Sequence, residues 1–528
     1  MQDLKVPQAI EARQSSRQDS ENMNISEAPS IPTWRLILLI VSLCIGLFLS
    51  LLDTSIVATA LYDISVSFSS PHTATWIALS YTLSYLSFAV PFANLSDVIG
   101  RRAAWSLAFS IFFAFSLACG FAKTLMQLIG FRAVQGVGGS GLYSLTMIVM
   151  PEIVKKEQRK WIGAVVGLVV AVAGVTGPVI GGIITKFATW RWVFWINGPV
   201  AAVSVVLFLL TWPAESMVKQ PIRRSWKQLD FPGSFLLIAA SVLVVFAFQQ
   251  AGLKPNSWDK GLFLTPLLVG CFCWCVLFAW ETFASSHSFS VILPLRLLKH
   301  RVYATTVMVT VLTGFVNFIA VYSLPLHFQI VNGTSSPIAG VALLPLLVWA
   351  AIGSMLGGLT ANHSFPALAI ANGMMALGAG LLSTLTQHHG VQAKTYGFEV
   401  PLGLGMGLSI SASTLLAATQ CEATDLAVAQ GVVAQARVLG GSIGIAASSA
   451  ILGSMSAKAG RSGEVVDEKS IYTNAFSKTM WVCAIVACIA VVLSAGTYQK
   501  GAGQASQSSA SAEQVTIQEQ EIVVEKVV

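Results

Sequence analysis

Fourteen apolar stretches, each about 18–25 residues long, follow one another through a chain of 528 residues with only short polar breaks between them. A helix of that length matches the hydrocarbon core of a bilayer, about 30 Å thick. Only 10% of the residues are charged, against roughly 25% in soluble domains. A water-soluble core cannot hide that much apolar surface. In lipid the backbone must satisfy its own hydrogen bonds, which makes each run a helix. The expected spans are 35–60, 74–95, 103–122, 125–150, 161–184, 191–212, 231–250, 261–281, 303–328, 337–360, 365–385, 396–418, 428–453 and 477–498. The fold class is an all-α polytopic membrane protein.

The first 30 or so residues are polar and contain no apolar core of a signal peptide, so the first span is expected to direct insertion. The net charge of +7 could suggest a nucleic-acid partner. The cations fall instead in alternate loops: Arg101-Arg102, Lys155-Lys156 with Arg159-Lys160, Lys219 with Arg223-Arg224 and Lys227, and Arg296 with Lys299 and Arg301. That is a topology signal, and it places both termini in the cytoplasm and excludes nucleic acid as the partner. The loop 329–336 then faces outside and carries Asn332-Gly333-Thr334, a glycosylation acceptor pattern. Asn24 and Asn362 match the same pattern but face the cytoplasm.

Cys271, Cys273 and Cys275 are the one cysteine cluster. Residues two apart on a helix point in nearly opposite directions, so no metal is expected there. No catalytic constellation stands out, and no Gly-x-x-x-x-Gly-Lys loop is present to bind a nucleotide. An enzyme reading has no supporting site.

The residues that break the apolar pattern carry the function. Asp53 lies inside the first span, where a carboxylate costs about 2.5–3.5 kcal/mol on insertion scales. A helix cap or structural ion pair would tolerate it; a polar path through a bundle would use it. Asp97, Gly100, Arg101 and Arg102 close the loop after span two, and an acid, a turn glycine and paired arginines can latch neighbouring helix ends. The arginines alone would serve as topology anchors. Arg132 lies about two turns inside span four, too deep for simple snorkelling, with Gln135 on the same face and Gly136, Gly138, Gly139 and Gly141 beyond it. Span five carries Gly177, Pro178, Gly181 and Gly182, a kink beside a smooth packing face.

In this order the motifs resemble those of the major facilitator superfamily. Asp53 matches the acid of its Leu-Asp-x-Thr signature in span one. Asp97, Gly100, Arg101 and Arg102 match the loop 2–3 signature, and Arg132, Gln135, Gly136 and Gly138 match that of span four. Gly177, Pro178, Gly181 and Gly182 match the antiporter signature of span five. Trp190-Arg191-Trp192 with Asn197 and Pro199 look like the span-six signature of the fourteen-span drug:H⁺ antiporter branch. Asn94 stands where the loop 2–3 motif usually has glycine, and the short loop 361–364 lacks the second basic copy of that motif.

The resemblance implies two six-helix bundles with two inserted helices. It divides the chain into a cytoplasmic N-terminal tail (1–33), a first bundle (34–212), a linker (213–230), the inserted pair (231–281), a second bundle (282–498) and a C-terminal tail (499–528). Both tails are polar enough to be disordered. Arg437, in Arg437-Val438-Leu439-Gly440-Gly441-Ser442, echoes span four in the second half, as repeat-built carriers do.

The function expected from this resemblance is proton-coupled export of amphipathic organic compounds (toxins, secondary metabolites or drugs) by alternating access. Asp53 and Arg132 couple the proton, and the proton gradient drives transport with no cofactor. Gln135, Tyr143, Asn317 and Arg437 are candidate cavity residues, with Gln329, Asn372, Trp76, Tyr81, Tyr85 and Phe318 as further polar and aromatic positions. The style of the chain looks most like fungal efflux pumps, which implies a monomer in the plasma membrane surrounded by lipid. The vacuolar membrane is the other address. An importer or vacuolar carrier of amino acids or siderophores would need more acids in the spans. A sensor that has lost transport would need longer signalling tails.

Overall fold

The computed structural model describes residues 32–69, 73–154, 162–213, 230–253, 261–284, 295–359, 364–421, 426–462 and 467–498. Both tails, the loop cations at 155–160, the linker cations between 214 and 229, and the Asn24 and Asn362 patterns lie outside the described residues. Within them, fourteen helices are long and apolar enough to cross a membrane. They are α1 (Thr33–Ser67), α2 (Thr75–Ile99), α3 (Arg101–Gly120), α4 (Leu125–Ile153), α5 (Ile162–Phe187), α6 (Trp192–Thr211), α7 (Phe231–Leu253), α8 (Gly261–Ala284), α9 (Arg301–Ile330), α10 (Ser336–Gly357), α11 (Ser364–Leu382), α12 (Ala393–Thr419), α13 (Leu426–Ser462) and α14 (Glu468–Ser494). Each falls on an expected span. The first overruns its expected end at 60 to reach Ser67, and Asp63 in that extra turn accepts from the Ser336 hydroxyl at 2.7 Å.

Local chemistry sets the breaks. Gly100 joins α2 to α3 at φ 91°, a conformation that disfavours any residue with a Cβ. Thr124 caps α4, its hydroxyl accepting from the Gln127 N–H at 3.2 Å. In α10 the helix is interrupted at Leu343, between Ser336–Ala342 and Leu344–Leu359. The N–H of Leu346, freed at the start of the second piece, donates to the Glu399 carboxylate of α12 at 3.3 Å. A fully buried acid thus caps a broken helix inside the membrane.

Successive helices run in opposite directions. Arg101, Glu152 and Arg301 therefore sit at one end of the molecule, here the Arg101 face, and Asn332 and Gly390 at the other, the Asn332 face. Helices α1–α6 form one bundle, with a core around Trp105, which stacks on Phe208 at 3.9 Å between ring centroids. Helices α9–α14 form the second, around Leu346, Met375, Leu402 and Met480. The inserted α7 and α8 pair through Asp230, which accepts from the Gly233 N–H and from the Trp280 indole, both at 2.8 Å. α7 packs on α2 and α13 and so touches both bundles. α8 leaves Leu268 and Phe272 exposed, a lipid-facing surface.

On the Asn332 side the bundles close on each other. The Tyr322 hydroxyl donates to the Thr54 carbonyl at 2.7 Å, and the Gln329 amide donates to the Thr59 carbonyl at 3.2 Å. Gly182 of α5 lies against the Ser336–Pro337 backbone, and Gly340 of α10 against the Pro178 carbonyl. Ser442 donates to the Thr82 hydroxyl at 3.2 Å between α13 and α2.

The expectation that Asn332 carries a glycan meets a different use of the residue. Asn332 is 4% exposed, and its amide nitrogen donates to the carbonyls of His388 and Gly390 at 2.9 and 3.0 Å. The atom a sugar would occupy staples the α9–α10 loop to the α11–α12 loop. Peptide N-glycosidase should therefore leave the mobility of the full chain unchanged. Asn332→Ala should lower its melting temperature in detergent by roughly 2–4 °C, since two loop carbonyls lose their donor.

Candidate functional site

At the centre of the first bundle the Arg132 guanidinium of α4 meets the Asp53 carboxylate of α1, both fully buried. Sequence alone left open whether they meet. The glycines after Arg132 let them: a Cβ on Gly136 would collide with the Tyr81 backbone, so α4 and α2 approach at a distance only glycine allows. Three side-chain donors converge on Asp53. Arg132 takes one oxygen; Gln135 and Asn197 donate to the other at 3.0 and 3.3 Å. Three hydrogen bonds accepted and none donated is the pattern of a carboxylate.

Arg132 is held equally closely. Its Nε donates to the Ile77 carbonyl at 3.2 Å and Nη1 to the Gln135 carbonyl oxygen at 2.9 Å. Its guanidinium carbon lies 4.2 Å from the centroid of the Tyr81 ring, a cation–π contact. Tyr81 in turn donates to the Ser50 carbonyl at 2.9 Å. Asn197 also bonds the Ser116 hydroxyl at 2.9 Å. Only Nη2 of Arg132 has no partner among the described residues. The pair therefore binds α1, α2, α3, α4 and α6 into one polar knot.

This placement corrects one expectation. Gln135 is fully buried and bonded to both ions, so it belongs to the ion-pair cage and not to a cavity wall. Asn197 and Ser116 are cage members that the sequence did not single out as a site. Asn197 stood in the span-six signature, but nothing in its spacing pointed at Asp53. Ser116 carried no signal.

The loop 2–3 residues form a second cluster at the Arg101 face. Arg101 bonds Asp97 at 2.6 Å and Glu152 at 2.9 Å, and also the Ser96 hydroxyl. Gly100 makes the turn that aims Arg101 back at α2, while Arg102 stays exposed. The expected latch is thus Asp97, Arg101 and Glu152, with Arg102 outside it. Glu152, the acid that closes α4 beside Pro151, is a latch member that no sequence motif marks.

The antiporter-signature glycines line the helix seams. Gly177 packs on Ser55 and Gly181 on Ile56 and Thr59, both in α1, while Gly182 reaches across to α10. The Pro178 carbonyl, beside these glycines, accepts from Thr59 at 3.2 Å.

The remaining candidates separate. Asn372 is buried inside the second bundle, bonded to Leu368 and Ser494, and Gln329 closes the Asn332 face. Trp76 packs on Phe246 of α7 at 5.9 Å and Phe318 against Gly441. Asn317 on α9 is 5% exposed, with its carbonyl oxygen unpartnered among the described residues. Tyr143 of α4 and Arg437 of α13 are half-buried, on helices that touch across the two bundles.

Residues 43–445 match the family model of the Major Facilitator Superfamily. The chain is 34% identical to the MFS-type transporter FPY5 of Fusarium mangiferae over 433 residues, 79% of this chain and 72% of that one. It is 27% identical to the efflux pump roqT of Penicillium rubens, over 89% of this chain and 83% of that one. It is 32% identical to the efflux pump dotC of Dothistroma septosporum strain NZE10, over 75% and 68%. Among solved structures, an auto-inhibited peptide transporter of the POT family has a TM-score of 0.62 at 13% identity, covering 87% of this chain and 97% of that chain. A bacterial homologue of the human lysosomal transporter Spinster has a TM-score of 0.60 at 16%, covering 88% and 97%. At such identities the two structures speak to fold alone.

The geometry makes two predictions. Arg132→Gln and Asp53→Asn should each destabilise the purified full chain by about 3–5 kcal/mol, because each strands a buried charge. The double variant should lose clearly less than the sum of the two. Additive losses in the melting temperature would mean that the ions do not depend on each other. At the Arg101 face, Glu152→Gln should lower the melting temperature, whereas Arg102→Gln should change stability by less than about 0.5 kcal/mol.

Proposed function

This chain belongs to the major facilitator superfamily, whose members move small molecules across membranes, and on that footing we propose that it exports amphipathic organic compounds in exchange for protons. The observation that carries the reading is a single bond. Tyr322 of the second bundle donates to the carbonyl of Thr54, the residue after Asp53. The buried ion pair is thereby tied to the seam that must open when the bundles rock.

Each step belongs to named residues. With the Asn332 face closed, Asp53 is sealed in its cage and paired with Arg132. Cargo enters between the bundles from the Arg101 side. When the seam at Tyr322, Gln329 and Ser336 parts, the turn carrying Asp53 loses its tie to the second bundle, and water reaches the carboxylate. A proton on Asp53 cancels the charge that Arg132 holds, and the cage reorganises. Return to the closed state requires that the proton leave on the other side. Binding a proton thus selects one conformation over the other, which is what coupling requires. The glycines at 182 and 340 supply smooth surfaces for the motion, since each meets backbone across the α5–α10 seam.

Charge supports the orientation. Arg101, Arg102, Arg296, Lys299 and Arg301 cluster at the Arg101 face, which the positive-inside rule assigns to the cytoplasm together with both termini. The closed Asn332 face is then the outer one. Export suits the plasma membrane, with no cofactor beyond the proton gradient and with a single chain as the working unit. The names of the relatives, efflux pumps among them, point the same way for cargo.

The test is efflux from a pump-deficient yeast strain expressing the full chain and loaded with a panel of amphipathic compounds. Accumulation of at least one compound should fall, and a protonophore should abolish the effect. Asp53→Asn at equal surface level should cut proton-driven efflux by about 10-fold or more, the scale of a lost essential ionisable group. Wild-type efflux by that variant would remove Asp53 from coupling.

A further inference from the structure

We propose that the cargo carries an acidic group and that Arg437 is its anchor. This rests on the export reading and sharpens it from amphipathic compounds in general to amphipathic organic acids.

The other two buried arginines each have acidic partners. Arg132 has Asp53, and Arg101 has Asp97 and Glu152. Arg437 has no such partner: among the described residues it forms no ion pair. Its Nη2 donates to the Ser413 hydroxyl of α12 at 3.2 Å, and its Nε is buried with no acceptor. A guanidinium inside a membrane protein without a counter-charge is costly, and such residues mark substrate or ion pathways.

The surroundings fit a ligand site between the bundles. Arg437 projects from α13 and Ser413 from α12, both in the second bundle. Across the interface stands α4 of the first bundle, which α13 touches; it carries Tyr143, which packs on the same apolar cluster as Val438, the residue after Arg437. Arg437 is only partly buried. The Tyr143 ring lies 5.9 Å from that of Tyr85 and offers an apolar wall beside the charge. A planar guanidinium with free N–H groups binds a carboxylate or an acidic enol bidentately, and the rings take the hydrophobic body.

The site is also connected to the ion pair. Tyr85 lies 5.9 Å from Tyr81, over whose ring Arg132 sits. The row Tyr143, Tyr85 and Tyr81, all in the first bundle, thus leads from the face that α13 meets toward the ion pair. Exchange of an outgoing anion for an incoming proton moves positive charge inward in both legs, so transport of such a cargo is electrogenic.

The experiment measures binding of radiolabelled 1-naphthaleneacetate and of its uncharged amide to the full chain in phosphatidylcholine nanodiscs. The acid should bind at least about 10-fold more tightly than the amide, the scale of one charge-assisted hydrogen-bonded pair. R437Q should remove that preference while leaving the amide unchanged, and R437K should keep part of it. Equal binding of acid and amide, binding of neither, or an acid preference that survives in R437Q would overturn the proposal. Displacement of the acid by added phosphatidylglycerol would assign the site to a lipid headgroup and overturn it too. Binding needs no gradient, so the two readings fail separately. Acid preference without proton-driven efflux would sink export alone, and proton-driven efflux by a chain that binds acid and amide equally would sink the acid anchor alone.

Discussion

The fully buried pair of Asp53 and Arg132 is the interaction on which the first bundle is organised. Two charges leave water at a cost of several kcal/mol each, and their attraction offsets it only where the remaining hydrogen-bonding capacity is met. Here Gln135, Asn197, Ile77 and Tyr81 meet most of it, and each comes from a different turn or helix. The result is a knot that fixes five helices relative to one another. A packed hydrophobic replacement would serve stability as well. A group that can gain and lose charge is what a proton-coupled cycle needs.

Around that knot, close approach is decided by what side chains lack. Gly136 brings α4 onto α2, and Gly181 and Gly182 bring α5 onto α1 and α10. Hydroxyls and amides then bond across seams no wider than a backbone contact, as Tyr322 does to Thr54 and Ser336 to Asp63. These bonds are few and lie on one side of the molecule or near its middle, the arrangement of a joint that opens. The broken α10 belongs to the same side: its second piece is capped by Glu399, not by its own preceding turn. Such breaks are tolerated at membrane depth only where protein supplies the missing hydrogen bonds.

Much of this was legible in the chain. Hydropathy places all fourteen helices, because lipid leaves the backbone no alternative to helix. Asp53 and Arg132 stand out because a charge in an apolar run costs too much to be incidental. Gly100 announces its turn. The partners were less legible. Glu152 reads as an ordinary acid near a helix end until α4 is laid beside α3. Gln135 looks equally suited to a cavity wall or an ion-pair cage, and only the packing of α1 against α4 chooses between them. Asn332 satisfies a glycosylation pattern, yet two loop carbonyls hold its amide.

What the sequence determined by itself is the local part: helix positions, the family motifs, and which residues are too polar for their surroundings. These depend on the solvent each segment must meet, and a segment carries that information alone. What only the tertiary structure decided is pairing: Asp53 with Arg132, Asn197 with Asp53, Arg101 with Glu152, and Arg437 with a hydroxyl in place of an acid. A buried charge must find a partner, but the chain does not say which one. Partners separated by 24 to 144 positions become neighbours only when the helices pack together.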